Sequence, residues 1–493
     1  MGAEVEVVRA PAPPAGGKRR STTLLHLLNL EKPAGVFVFT AAAGAVKLPP
    51  PSPEPEAESL IDKIASCCRV FTFAASEHCA DERDLKRARL AEILAAVRSS
   101  AKPPGLVLLD HRVMAALVKM FAANLFRAMP PPPPSACPLS AEAGGADAVG
   151  AEEQLQAGAS SLLPSWPHLG AVYDVLLAAV AASDAKSLRA HVDRRFLTSL
   201  LALFASEDPR ERDRLKAAYH ALYSKLTPER AFMRRSMANA LLRFTDEATS
   251  SSPSACSGGV GEVLEICGSI INGFAVPLKE EHRGFLLRVL LPLHRTRWLH
   301  AYHRQLVYCV LQFLHKEPAL AGAVVQGVLR RWPVTNCQKE VLLIDELEEI
   351  VDALDQRHFD ALALPICNRI ARCATSSCSQ VAERALYVWN NERFLEMASS
   401  GEGTMERILP AFVASIEANL EQHWSKCVQQ VTASVKALLQ QVAPGLYDRC
   451  AADLAARRAE ADAEAAVRAA RWRRLELAAA ANSSSTDVPR AEG

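Results

Sequence analysis

Four stretches decide the fold: Leu286–Arg295 (LLRVLLPLHR), Val324–Pro333 (VVQGVLRRWP), Ala363–Arg372 (ALPICNRIAR) and Arg407–Ile416 (RILPAFVASI). Each carries apolar residues at helical spacing, and each contains or ends in a proline. Their starts at 286, 324, 363 and 407 step by 38, 39 and 44 residues. A second set interleaves with them: Gln305–Leu314, Val341–Ile350, Gln380–Trp389 and His423–Thr432, with steps of 36, 39 and 43. Two amphipathic helices per unit at a period near 40 is the signature of an α-solenoid of the HEAT or armadillo kind. One pair cannot bury its own apolar face, whereas stacked pairs bury theirs against each other and leave a long surface for other macromolecules. The expectation is an all-α superhelical solenoid of about eight HEAT-like helix-pair repeats.

Composition agrees with helices. The 493 residues are 49% hydrophobic and only 6% aromatic, and the longest strand-like run is Gly35–Thr40. Lys and Arg nearly balance Asp and Glu, for a net charge of +1. That argues against a bulk nucleic-acid binder, though a local patch is compatible with it. The thirteen cysteines are scattered without paired CxxC spacing, which reads as free thiols of an intracellular protein and not as a zinc site or disulfide framework. No run is long enough to span a membrane, and none reads as a secretory signal. The cytoplasm, the nucleus or both are the expected locations.

Residues 1–57, rich in Pro, Gly and Ala, read as a disordered arm. Helical periodicity then covers 58–476, with helices expected over Leu85–Val97 and Val113–Met129. Flexible insertions are expected at 130–163, opened by Pro130–Pro134, and at 247–261. At Ser206–Pro209, Ser206 or Asp208 suits an N-cap and Pro209 the first helical turn. The last helix, about Tyr447–Leu477, offers i,i+4 pairs at Asp453–Arg457 and Glu464–Arg468. Residues 477–493 read as a disordered tail.

Catalytic templates are missing: no HExxH, GxGxxG, P-loop or GxSxG occurs. His300 and His303 sit three apart but lack a third ligand, so a solvated or hydrogen-bonded pair is the expected reading, with no metal and no cofactor. An unrecognised enzyme site around His294, His300 and His303 is the competing reading from another class. Asp345, Glu346, Glu348, Glu349 and Asp352 crowd one helix; a catalytic dyad needs two carboxylates across a cleft with opposed environments, so these read as an acidic face for a basic partner patch.

A more specific constellation joins His220, Tyr223 and Arg230 to Ile266, Ile270, Lys279 and His282. On adjacent solenoid helices these would line one groove, with an apolar floor (Ile266, Ile270, Tyr223) and a cationic rim (His220, Arg230, Lys279, His282). Such a groove suits an extended peptide with two aliphatic anchors followed by an acidic or phosphorylated residue. The plainer alternative is that the isoleucines are core and the bases a solvated rim.

The same stretches resemble the B-prime family of regulatory subunits of protein phosphatase 2A. The resemblance is carried by SEDPRERDRLK (Ser206–Lys216), GSIINGFAVPLKEEH (Gly268–His282), LVYCVLQFL (Leu306–Leu314), DELEEIVD (Asp345–Asp352) and QVAERALYVWNNE (Gln380–Glu392), with weaker matches at Met120–Pro131, Trp166–Leu177 and His423–Val428. It implies a single HEAT-like superhelix without activity of its own. It also implies binding to a HEAT-repeat scaffold subunit and a catalytic phosphatase subunit, and recruitment of substrate proteins through a groove for LxxIxE-type motifs. The family groove aligns with Ala217, His220, Ala221, Tyr223, Arg230, Ile266, Ile270, Lys279 and His282. Two positions depart: the family has Thr at Ala217 and Arg at Ala221, and loss of that cation implies weaker or altered motif preference. The alternative binding protein, a helical-repeat adaptor or transport protein unrelated to phosphatase, predicts regular Trp/Asn arrays, yet Trp389–Asn390–Asn391 occurs once.

Overall fold

The computed structural model describes residues 53–71, 73, 79–100, 109–128, 163–249, 258–401 and 403–485. Most of the expected arm, the bulk of the 130–163 insertion, the centre of the 247–261 insertion and the end of the tail lie outside them.

Nineteen α-helices are present among the described residues, and no strand. They alternate between two layers. The first layer holds α1 (Pro53–Ser66), α3 (His111–Leu125), α5 and α6 (Ala185–His191, Arg194–Ala202), α8 (Arg230–Thr249), α10 (Glu280–Phe285), α12 (Ala321–Leu329), α14 (Gln356–Ala374), α16 and α17 (Glu392–Ser400, Thr404–Gln422) and α19 (Leu446–Ser485). The second holds α2 (Ala80–Ser100), α4 (Trp166–Ala182), α7 (Pro209–Lys225), α9 (Val260–Asn272), α11 (Leu299–Lys316), α13 (Cys337–Asp352), α15 (Ser379–Tyr387) and α18 (Lys426–Val442). Each second-layer helix packs on its partner in the first layer, α11 on the turns at Leu286–Arg295 that continue α10, and on the neighbouring second-layer helices. Eight pairs and a closing helix therefore form the solenoid that the 40-residue period predicts. One apolar cluster runs from Leu60 to Cys450 through all of them.

The period is written in the hydrogen bonds as well. Lys225 Nζ reaches Ala181 O (2.7 Å), Lys316 Nζ reaches Asn272 O (2.9 Å), Ser415 Oγ reaches Ala371 O (2.8 Å) and Asn419 Nδ2 reaches Ala374 O (2.8 Å). Each links residues 44 or 45 apart, one repeat along the chain. These carbonyls stand at or just beyond helix C-termini, where intrahelical partners run out.

The prolines shape the first layer. Pro365 and Pro410 sit inside α14 and α17. The segment that opens the repeat motif departs most from a regular helix: α10 passes into a π-type turn at Leu286–Leu290 and a 3₁₀ turn at Leu291–Arg295, where Pro292 has no N–H to give.

Asp208, not Ser206, caps α7, accepting from Arg210 N at 2.9 Å with Pro209 in the first turn. α3 ends at Leu125, short of the expected Met129. Phe126 turns out to meet Phe196 edge-on, and Arg127 crosses to the buried Glu211 (Nη1–Oε1 2.8 Å), which also accepts from Tyr173 OH at 3.0 Å. In α19 the Glu464–Arg468 pair forms at 3.4 Å, but Arg457 donates to the Asp453 main-chain carbonyl instead of its carboxylate. Cys67, Cys267, Cys309 and Cys367 are buried free thiols, whereas Cys427 is exposed.

Candidate peptide-binding groove

α7, α8, α9 and the start of α10 bring most of the groove residues into one connected set. Gly268 has a part in this, since it allows α9 a close approach to α11: a Cβ there would lie 2.8 Å from the Tyr308 ring. His220, near the end of α7, bonds through Nε2 to Ser269 Oγ on α9 at 3.1 Å. Tyr223, one turn further on, is 8% exposed. Arg230 lies over its ring at 5.3 Å and donates to Tyr223 O (2.9 Å) and Ser224 O (2.8 Å). Those bonds satisfy carbonyls at the end of α7 and hold the guanidinium at the groove edge.

The Tyr223 hydroxyl accepts from Arg234 Nη1 at 3.2 Å, and Arg234 Nη2 reaches Glu281 Oε1 at 3.2 Å. The same carboxylate oxygen lies 3.3 Å from His282 Nε2. His282 is stacked flat on Phe274, centroids 3.6 Å apart, and its Nδ1 is buried with no hydrogen-bond partner. Lys279 is exposed at the N-cap of α10, three residues before His282. Beside this chain of contacts opens a cavity of about 610 Å³, lined by Ile270, Phe274 and Phe285 on its apolar side and by Arg234, Arg235 and His282 on its polar side. Ile266 is 1% exposed and belongs to the core beneath, whereas Ile270 faces the cavity.

Two features differ from the expected rim. Burial lowers the pKa of both His220 and His282, so at neutral pH these are neutral hydrogen-bonding imidazoles and not cations. Glu281 also places a carboxylate among the bases, where it accepts from Arg234. Spacing did not single out Arg234 or Glu281, although Arg234 lies one helical turn past Arg230 and Glu281 adjoins His282. Ser269 and Phe274 gave no signal beyond proximity.

The expected acidic partner face resolves differently. Glu346 is fully buried, within 2.9 Å of His294 Nε2 and 3.0 Å of His303 Nε2, and so offers nothing to a partner. Asp345 and Glu348 both bind Arg384 of the next repeat, and Asn391 Nδ2 donates to Glu348 Oε1 (2.6 Å) and Asp352 Oδ1 (3.3 Å). The helical period puts these carboxylates on the side of α13 that meets α15, so most of them join repeats. Glu349 and Asp352 remain exposed. His300 points outward while His303 points inward, and among the described residues no group of three His, Cys, Asp or Glu is placed to hold a metal ion.

A two-layer stack of helix pairs, with a cavity lined by α8, α9 and α10, defines a protein of the α-solenoid class. The model of the family described as "Protein phosphatase 2A regulatory B subunit (B56 family)" matches residues 45–479. The chain is 39% identical over 418 residues to the B' alpha isoform of the 57 kDa regulatory subunit of serine/threonine protein phosphatase 2A from Arabidopsis thaliana, covering 84% of this chain and 79% of that one. It is 38% identical over 420 residues to the B' beta isoform of the same plant, covering 85% and 79%. It is 37% identical over 424 residues to the B' kappa isoform of Oryza sativa subsp. japonica, covering 85% and 78%. The chain belongs to the B56 family of protein phosphatase 2A regulatory B subunits, and it is a regulatory and not a catalytic chain.

Proposed function

We propose that this chain docks on the scaffold and catalytic subunits of phosphatase 2A and recruits substrate proteins by capturing LxxIxE-type short motifs in the groove formed by α7, α8, α9 and the start of α10. The observation that carries the reading is the Tyr223–Arg234–Glu281–His282 chain, of which Arg234, Glu281 and His282 line the 610 Å³ cavity. It sets an apolar recess for aliphatic side chains beside arginine, lysine and imidazole donors for an acidic or phosphorylated residue. The unpartnered Nδ1 of His282 is a buried polar atom that a ligand can satisfy.

Capture would speed dephosphorylation by raising the substrate's effective concentration near the catalytic subunit. The gain then vanishes when the tether is cut, while the catalytic subunit keeps its rate toward small substrates. Glu349 and Asp352 are the exposed acidic candidates for a basic partner patch.

Calorimetry with an LxxIxE peptide tests the groove. Lys279→Glu replaces a charge-assisted contact of about 1.5–3 kcal/mol and should weaken binding roughly tenfold or more. Equal affinity of the wild-type and variant proteins would count against the groove. Restoring the cation that the resemblance expects, by Ala221→Arg, should tighten a peptide bearing the motif's glutamate and leave one with glutamine there unchanged.

A further inference from the structure

A second cavity, of about 520 Å³, lies away from the groove and shares no residue with it. It is lined by His294 and Arg295 at the end of the 3₁₀ turn, by Arg330, Arg331, Trp332 and Pro333 after α12, and by Lys339 in the first turn of α13. The turns that build it, 296–298 and 330–336, run from the first layer to the second. The turns that carry Arg230 and Lys279, 226–229 and 273–279, run from the second layer to the first. The two sites therefore occupy opposite edges of the stack.

Among the described residues, three arginines and a lysine line this cavity and no carboxylate does. Arg295 stands beside the exposed end of the 3₁₀ turn, and Arg330 beside α12. Arg331 Nη1 bonds Gly327 O at 2.8 Å, which leaves most of its five donors to spare. Lys339 is positioned by its bond to Thr296 O at 2.9 Å. The nearby acids are already engaged: Glu340 Oε1 accepts from Trp332 Nε1 at 2.8 Å, and Glu346 is paired with His294. A further cation, Arg369, stacks on Trp332 at 5.3 Å. Burial, and then repulsion from Arg295 and Arg330, depress the Arg331 pKa, as crowded cations should. Such crowding destabilises the empty site and favours an anion, and guanidinium forks match the oxygens of a phosphoryl group.

We propose that this cavity binds a phosphorylated side chain of a polypeptide, a second recruitment site on the edge opposite the groove. Its volume lies within the range of side-chain and ligand pockets, well above what a lone oxyanion needs. The choice of a phosphoprotein as the source rests on membership of a phosphatase family and not on the groove.

The test uses the full chain and a labelled Gly/Ser peptide carrying two adjacent phosphoserines. The wild type should bind it with an affinity that falls steeply with salt. Arg295→Glu combined with Arg330→Glu should weaken it at least tenfold, with the single Arg→Gln variants in between. Lys279→Glu should bind it like the wild type, so failure of the groove and failure of this site are separable. An unchanged thermal transition of the double variant excludes a folding defect. Four results overturn the proposal: equal binding of the unphosphorylated peptide, unchanged binding by the double variant, complete displacement by inorganic phosphate at the peptide's own concentration, or tighter binding of an RNA duplex than of the phosphopeptide.

Discussion

His294 Nε2 lies 2.9 Å from Glu346 Oε1, with both side chains fully buried and 52 residues apart in the chain. Burial opposes the charge on His294, but the adjoining Glu346 carboxylate and Leu291 O outweigh it, and its pKa is raised. Burial likewise opposes the charge on Glu346, yet His294 and His303 hold its pKa down at about 2. The raised histidine contributes stability that is complete below its unfolded pKa of about 6.5 and is lost as pH rises through the folded value. The depressed glutamate contributes stability that is complete above its unfolded pKa of about 4.3 and is lost as pH falls toward 2. Denaturant unfolding should therefore show a maximum between about pH 4.3 and 6.5 from this pair. Glu346→Gln should cost about 3–5 kcal/mol and flatten both flanks; unchanged flanks would refute the assignment.

Gly259 opens α9 with φ +79°, and a Cβ there would fall 2.1 Å from Phe204 O. Both the backbone region and the space exclude a side chain. Gly259→Ala should destabilise by about 2–3 kcal/mol or more, read as a lower thermal transition, while Gly284→Ala, with nothing within 4 Å, should cost little.

Arg127 anchors the end of α3 to α7 across the 130–163 insertion through the fully buried Glu211. Among the described residues, Arg127→Met leaves that carboxylate with only the Tyr173 hydroxyl. A loss of about 2–4 kcal/mol is expected, together with faster proteolysis of the folded protein. The proteolysis rate of the two proteins under native conditions decides it.

Most of the fold was legible because a 40-residue period survives in the spacing of apolar residues and prolines, and stacking needs only that period. The caps were legible too: Asp208–Pro209 is a local signal and behaves as one. Polarity without distance was not. The run from Asp345 to Asp352 looks like a surface when read along one helix. In the fold, Glu346 turns inward to two histidines and Asp345 and Glu348 turn to Arg384 of the next repeat. The contact between Tyr223 and Arg230 was within reach of helical spacing, but the protonation of His220 and His282 depends on burial, which no spacing reports.

Groove affinity should depend on pH for that reason. His220 and His282 have lowered pKa values in the free protein, and an acidic peptide side chain beside them would raise these. Binding should then take up protons and tighten as pH falls from about 7.5 toward 6, with Glu281 and Arg234 limiting the gain. Calorimetry in two buffers of different ionisation enthalpy measures the uptake; none would contradict the placement of the imidazoles.

Co-expression of this chain with the phosphatase 2A scaffold and catalytic subunits, followed by size-exclusion chromatography, tests the central claim most directly. A single three-chain peak is predicted, retained by Lys279→Glu, and it should dephosphorylate an LxxIxE-tethered phosphopeptide faster than the two-chain core does. A folded chain that elutes alone beside an intact core would contradict the account.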